Sequence, residues 1–174
     1  MRQTKKLTLS AILTALGAAV MIIGSVVEVM DLTVCAFASL IMVFVYLEIG
    51  SPYTYLVWIC TSLCSALMFP GSIVWVEYLL VFGIYPILKA YIERLPRWSW
   101  LIVKLLYVNA TFWAIFGVVE LLLGLPFFED GALIMKAVTY LLVNVAFIAY
   151  DAFITVMVKF YYDRLRRRFF KFLK

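Results

Sequence analysis

Long apolar runs separated by short breaks constrain this chain more than any other feature of its sequence. Of its 174 residues, 67% are hydrophobic and only 14% are charged, whereas a soluble domain is about half apolar and a quarter charged. A helix needs roughly 20 apolar residues to cross the hydrocarbon core of a bilayer. The sequence therefore predicts an integral membrane protein with no room for a soluble catalytic domain.

Six apolar runs predict six transmembrane helices in one all-α membrane domain, a polytopic bundle. Turn residues separate the runs, as at Gly50-Ser51-Pro52 and Pro70-Gly71. Pro86 is expected to kink the fourth span. The predicted spans cover about residues 7–29, 32–49, 53–69, 73–91, 98–123 and 132–160, followed by a basic tail over residues 161–174.

The distribution of charge predicts the orientation. The chain carries a net charge of +5, and its basic residues lie at the N-terminus, in the loop over residues 93–97 and in the C-terminal tail. The turns after spans 1 and 5 carry acidic residues instead, among them Glu28 and Asp31. Because lysine and arginine favour cytoplasmic loops, both termini are predicted to be cytoplasmic. The positive charge is explained by topology, so no nucleic-acid partner is expected.

Residues that could carry out chemistry are scarce. The chain has no histidine, no nucleophile motif and no phosphate-binding glycine loop. Cys60 and Cys64 share a helix face, but no histidine completes a metal site beside them. We expect no enzymatic activity, no cofactor and no metal.

Polar side chains recur at helical spacing inside the last three spans. Polar groups at membrane depth are costly and usually face a bundle interior or a cavity. Two interpretations stay open: the outer set lines a pocket for a small polar ligand, or it only pairs helices. The candidate substrate-binding residues are Glu77, Tyr78, Asn109, Trp113, Glu120, Lys136, Tyr140 and Asn144. Lys89, Lys104 and Asp151 are expected deeper toward the cytoplasm, as ion pairs that join helices.

Span 1 carries a broad face of small residues, Ala11, Ala15, Ala18 and Ala19, with Gly17 and Gly24. Such faces let helices approach closely, within one protein or between partners. The segment from Lys5 to Leu16, KKLTLSAILTAL, resembles the first helix of the substrate-binding (S) subunits of energy-coupling factor transporters. The chain is similar to that family over its whole length in size and topology, and in residues chiefly over span 1.

The resemblance implies a function, a location and partners. S subunits are six-helix proteins of the bacterial plasma membrane that hold a vitamin or similar micronutrient toward the outside. The alanine face, here Ala11, Ala15, Ala18 and Ala19, would dock on a transmembrane coupling subunit that joins two cytoplasmic ATPases. The subunit would then topple and release its ligand inward, without chemistry. The patterns of the riboflavin, thiamine, biotin and folate members are absent, and the stretch from Tyr85 to Arg94 is unusual for the family.

Two other functions fit the same sequence. One is a non-catalytic scaffold of the rod-shape-determining type, in which the polar stripes join helices or contact other proteins. The other is a small oligomeric secondary transporter or channel, although the chain shows no internal repeat.

Overall fold

The computed structural model of the protein describes the backbone of residues 3–27, 30–123 and 133–165. Side chains are described for residues 3–27, 30–118, 121 and 137–164. The chain forms two compact units, residues 1–130 and residues 131–174. Five helices belong to the first unit and one to the second.

The described residues form six helices and no strand, which confirms the all-helical prediction. The helices agree with the predicted spans to within a few residues. They are α1 (Gln3–Val26), α2 (Asp31–Glu48), α3 (Ser51–Met68), α4 (Val74–Ile92), α5 (Arg97–Leu123) and α6 (Leu133–Phe160). All except α3 are long and apolar enough to cross a membrane.

One face of α3 carries buried hydroxyl side chains, which lower its mean hydropathy. Thr54, Thr61 and Ser65, spaced seven and four residues apart, are all fully buried. Their face is turned toward α1, where a Cβ at Gly17 would lie 3.1 Å from Cγ2 of Thr61. The opposite face of α3 is exposed and apolar. Hydropathy alone therefore understates how apolar the outer surface of α3 is.

Helices α1 to α4 alternate in direction. The ammonium of Lys6 donates to the carbonyl oxygen of Ile49 at 3.2 Å, so the start of α1 meets the end of α2. At the other end, Gly24 lies against Val34. The core between these helices is built from apolar side chains together with the buried Tyr78: Met21, Cys35, Ala38, Met42, Val45, Ile49, Val57, Val74, Tyr78 and Ile87.

The first unit has two ends of opposite charge. Its described basic residues lie at one end, called here the basic end: Lys5, Lys6, Lys89, Arg94, Arg97 and Lys104. The other end, called the acidic end, carries Asp31 at the start of α2 and Glu77 near the start of α4. No lysine or arginine of the described part of this unit lies at the acidic end.

At the basic end, Glu93 joins α4 to α5. Its carboxylate lies 3.4 Å from the ammonium of Lys89 and 3.7 Å from that of Lys104. Both lysines are buried. The expectation that these lysines take part in helix-joining ion pairs agrees with this geometry, with Glu93 as the shared acid.

Helix α4 is broken in the middle. Residues Tyr78–Phe82 form a π-turn, and a regular helix resumes over Tyr85–Ile92 with Pro86 in its first turn. Proline lacks an N–H and clashes with the carbonyl four residues earlier, which is Phe82 here, so a helix cannot run regularly through this point. The break thus precedes Pro86 rather than following it.

Side chains from two neighbouring helices donate hydrogen bonds to backbone carbonyls of the π-turn. The indole N–H of Trp58 donates to the carbonyl oxygen of Leu79 at 3.1 Å. The hydroxyl of Tyr107 donates to the carbonyl oxygen of Leu80. Irregular backbone at membrane depth persists only where protein groups satisfy it. Trp58 on α3 and Tyr107 on α5 meet that requirement for α4.

Candidate functional site

Three polar side chains gather at the acidic end of the first unit, and they are called here the acidic cluster: Asp31, Cys35 and Glu77. The sulfur of Cys35 lies 3.7 Å from the carbonyl oxygen of Val74, which brings the start of α2 against the start of α4. Cys35 lies within electrostatic range of both carboxylates, and Glu77 within range of Asp31. The cluster therefore combines two acidic groups from different helices.

Glu77 is a poorly compensated member of this cluster. Its Oε2 atom is buried and accepts no hydrogen bond from the described residues. The charged neighbour that acts on it is Asp31, which has the same sign. A buried carboxylate oxygen without a donor is costly. Such an oxygen is suited to receive a donor from outside the chain.

Tyr78 and Thr61 extend the polar region into the bundle. Tyr78 is only 1% exposed, and its ring belongs to the apolar core. Its hydroxyl lies within electrostatic range of Cys35 and Thr61, and the Thr61 hydroxyl makes no hydrogen bond among the described residues. A polar path thus leads from the acidic cluster to the hydroxyl face of α3. Within it, Tyr78 is a wall of the site rather than a solvent-facing contact.

The chemistry available at the acidic cluster is electrostatic. The two carboxylates favour a positively charged or hydrogen-bond-donating group. A thiol and two hydroxyls add weak donors and acceptors. Among the residues that the structure describes, no group of three or more histidine, cysteine or acidic side chains could hold a metal ion.

The predicted stripe on α5 lies beside the contact with α4. Asn109 is half-buried, and its amide donates to the carbonyl oxygen of Leu105 at 2.8 Å. Trp113 is 63% exposed. The face that packs on α4 carries instead Tyr107, whose ring stacks on Tyr85 at 5.8 Å between centroids. Trp113 therefore does not form a wall with the buried face of α4.

The predicted residues of α6 belong to the second unit. Tyr140 is exposed, and the amide of Asn144 donates to the carbonyl oxygen of Tyr140 at 2.9 Å. Asn109 and Asn144 thus each donate one hydrogen bond to a backbone carbonyl of their own helix. The side chains of Glu120 and Lys136 lie outside the described residues. That the stripes of α4, α5 and α6 share one pocket stays a prediction.

Helix α1 separates its small residues onto two faces. Gly17 and Gly24 are buried against α3 and α2. Ala11, Ala15 and Ala19 are exposed, and Ala18 is half-buried. The broad face expected from the sequence is thus divided into a glycine face that packs inside the unit and an alanine face that the described chain leaves uncovered.

Asp31, Cys35 and Thr61 were not among the predicted site residues. The spacing of Thr54, Thr61 and Ser65 is a helical signal that the sequence contains, and it would have indicated a polar inner face on α3. The approach of Asp31 and Cys35 to Glu77 has no such signal, because it depends on how α2 and α4 pack.

Comparison with known proteins leaves the family open. No protein-family model, characterised protein or solved structure matches the chain.

Proposed function

We propose that this chain is the substrate-capture subunit of an importer of the energy-coupling factor type. It would bind a vitamin-like or other small polar micronutrient at the outer face of a bacterial plasma membrane and pass it inward. A transmembrane coupling subunit and two cytoplasmic ATPases would supply the driving force. The chain itself would perform no chemistry on the ligand.

The observation that carries this proposal is the uncovered alanine face of α1. The glycine face of the same helix already packs against α2 and α3, so internal packing does not account for Ala11, Ala15 and Ala19. Small side chains contribute little packing energy when they face lipid. They do allow a second helix to approach closely. The resemblance of this segment to S subunits assigns that second helix to a coupling subunit.

The acidic cluster supports ligand capture at the opposite end from the cytoplasmic charges. The basic end is cytoplasmic by the positive-inside rule, so the acidic end faces outward. The buried, unpartnered oxygen of Glu77 offers a site for a donor group. The proposal accordingly includes a ligand that carries a positive charge or several hydrogen-bond donors.

Docking is tested by substitutions on α1 and on a second helix. Ala15→Trp fills the alanine face and should abolish co-purification of the coupling subunit and ATPases from native membranes. Leu106→Trp on α5 is the matched control, because Leu106 is also exposed but lies on another helix. Equal recovery of the partners with both variants would contradict the docking face.

Ligand capture is tested by mass spectrometry of small molecules that co-purify with the chain. Glu77→Gln keeps the size of the side chain and removes its charge, so we expect the bound metabolite to fall by about tenfold or more. Wild-type protein that carries no metabolite, and that shows no thermal shift across a panel of vitamins, would contradict capture.

A scaffolding role is the second candidate, and the exposure of Trp113 and Tyr140 favours it. Exposed aromatic side chains can serve as contacts with other membrane proteins. Under this role, the chain would co-purify with membrane proteins other than a coupling subunit and ATPases. Ala15→Trp would then leave its partners unchanged.

A further inference from the structure

A cavity opens at the basic end of the first unit, away from the acidic cluster and from the alanine face of α1. Its volume is about 520 Å³. It lies between the N-terminal turns of α1 and α3. The lining residues are Gln3, Lys6, Pro52, Tyr53 and Leu56.

The polar side of this cavity is held in place by bonds between helices. The hydroxyl of Tyr53 donates to Oε1 of Gln3 at 2.8 Å, which leaves the amide N–H groups of Gln3 for another acceptor. Lys6 donates to the carbonyl oxygen of Ile49, and its ammonium lies 5.9 Å from the centre of the Tyr53 ring. An ammonium has three donors, so two remain for a ligand. The cation is fixed at the cavity rather than free on a long side chain.

The depth of the cavity matches the headgroup layer of a bilayer. Residues 7–26 of α1 are 20 residues long, which corresponds to about 30 Å of helix, the thickness of a hydrocarbon core. Lys6 precedes this stretch directly and therefore lies where the hydrocarbon ends. Phosphate groups of lipids occupy that level.

The other side of the cavity is apolar and continues into the membrane. Leu56 lines the cavity and is 53% exposed. Ile59 and Leu63 follow it at spacings of three and four residues, and both are exposed. The three side chains form one stripe along α3. An acyl chain could lie on this stripe while its headgroup occupies the cavity.

We propose that this cavity binds the phosphate headgroup of an anionic phospholipid. Lys6 pairs with the phosphate, and the Gln3 amide donates to it. The N-terminus of α3, where no side chain caps the helix, adds a favourable dipole. The stripe from Leu56 to Leu63 takes an acyl chain. This stripe favours a lipid over free phosphate, because free phosphate has no apolar part that could pack on it.

The test is a titration of the purified full-length chain with phosphatidylglycerol and with phosphatidylcholine of the same acyl chains, followed by native mass spectrometry. Wild type should prefer phosphatidylglycerol. Lys6→Gln should weaken its binding by about fivefold, the size expected for one basic residue at an anionic membrane surface. Lys5→Gln removes the same charge from a neighbour that does not line the cavity, and it should leave the binding nearly unchanged.

Two further variants keep the test decisive if Lys6→Gln fails to fold. Lys6→Arg retains the charge and should retain the preference. Leu56→Glu places a negative charge at an exposed position of the rim, and it should abolish the preference. Retention of phosphatidylglycerol by Leu56→Glu would overturn the proposal, as would equal losses in Lys5→Gln and Lys6→Gln.

Competition separates the two sources of phosphate. Inorganic phosphate in excess should not displace phosphatidylglycerol, because it gains nothing from the apolar stripe. Displacement of the lipid by inorganic phosphate would assign the cavity to a soluble anion and overturn the lipid proposal. Equal binding of phosphatidylcholine and phosphatidylglycerol by wild type would overturn it as well.

Discussion

At the scale of single residues, the break in α4 depends on a close fit between Gly83 and Trp58. A Cβ added at Gly83 would lie 2.5 Å from Cδ1 of Trp58 and 2.8 Å from the carbonyl oxygen of Tyr78. The ring that blocks the added atom is the same ring that donates to Leu79. One side chain therefore fills the space beside Gly83 and satisfies the backbone exposed by the break.

Gly83→Ala should consequently destabilise the protein by about 1–3 kcal/mol, since an overpacked ring must move and release its hydrogen bond. Thermal unfolding in detergent measures the change. Gly117→Ala is the control, because a Cβ at Gly117 meets nothing within 4 Å, and it should be neutral or slightly stabilising. Equal stability of the two variants would contradict the role assigned to Trp58.

Glu93 is the second residue on which a local arrangement depends, because two buried lysines share its carboxylate. Glu93→Gln removes that charge and weakens the contact between α4 and α5. Glu93 is itself exposed, so the expected loss is about 2 kcal/mol, between the values for surface and buried pairs. The measurement is unfolding at low and high salt, and the loss should shrink at high salt.

Glu48→Gln provides the comparison. If it reduced the stability as much as Glu93→Gln does, any acidic residue at the basic end would stabilise the protein equally. That result would contradict a specific bridge.

At the scale of elements, the helices were predictable because their cause is local. A chain in lipid must satisfy its backbone within each segment, so apolar runs and their glycine and proline breaks define the helices. Even the interruption of α4 is signalled by Pro86. The candidate site was less predictable, since Asp31 and Cys35 reach Glu77 only through the packing of α2 on α4. The sequence indicated Glu77 and Tyr78, but composition could not indicate which polar residues of other helices would meet them.

Helix α1 illustrates the same limit on a single element. Its glycines and alanines have similar sizes, and the sequence alone groups them together. Packing separates them, because a Cβ at Gly24 would lie 2.8 Å from Cγ1 of Val34, whereas Ala19 is exposed.

Gly24→Val should therefore destabilise the first unit by about 1–3 kcal/mol through overpacking. Ala19→Val adds methyl groups on the exposed alanine face and should leave the unfolding temperature nearly unchanged. Circular dichroism during heating in detergent measures both variants. A loss of stability in Ala19→Val as large as that in Gly24→Val would show that the alanine face is packed inside the protein.

At the scale of the whole molecule, charge asymmetry defines the expected topology. The first unit carries its described basic residues at one end and Asp31 and Glu77 at the other. Sequence alone adds the arginines of the C-terminal tail. The positive-inside rule therefore predicts that the basic end and both termini lie in the cytoplasm.

Reporter fusions test this orientation. A cytoplasm-active reporter should work at both termini, and a reporter that requires export should be inactive at either. A thiol probe that does not cross membranes should label a cysteine introduced at Gly71, in the turn before α4, from the outside of intact cells. An exported C-terminus would rule out an even number of spans.

The hydrogen bond between Trp58 and Leu79 also makes the fluorescence of Trp58 a probe of the backbone at the break in α4. An indole held inside a helical bundle emits at shorter wavelength than one in water, and its emission is sensitive to the loss of a hydrogen bond. A variant that keeps Trp58 and replaces the other four of its five tryptophans with phenylalanine would isolate this signal. Any rearrangement that rotates the two halves of α4 against each other would then appear as a change in emission, without an attached dye.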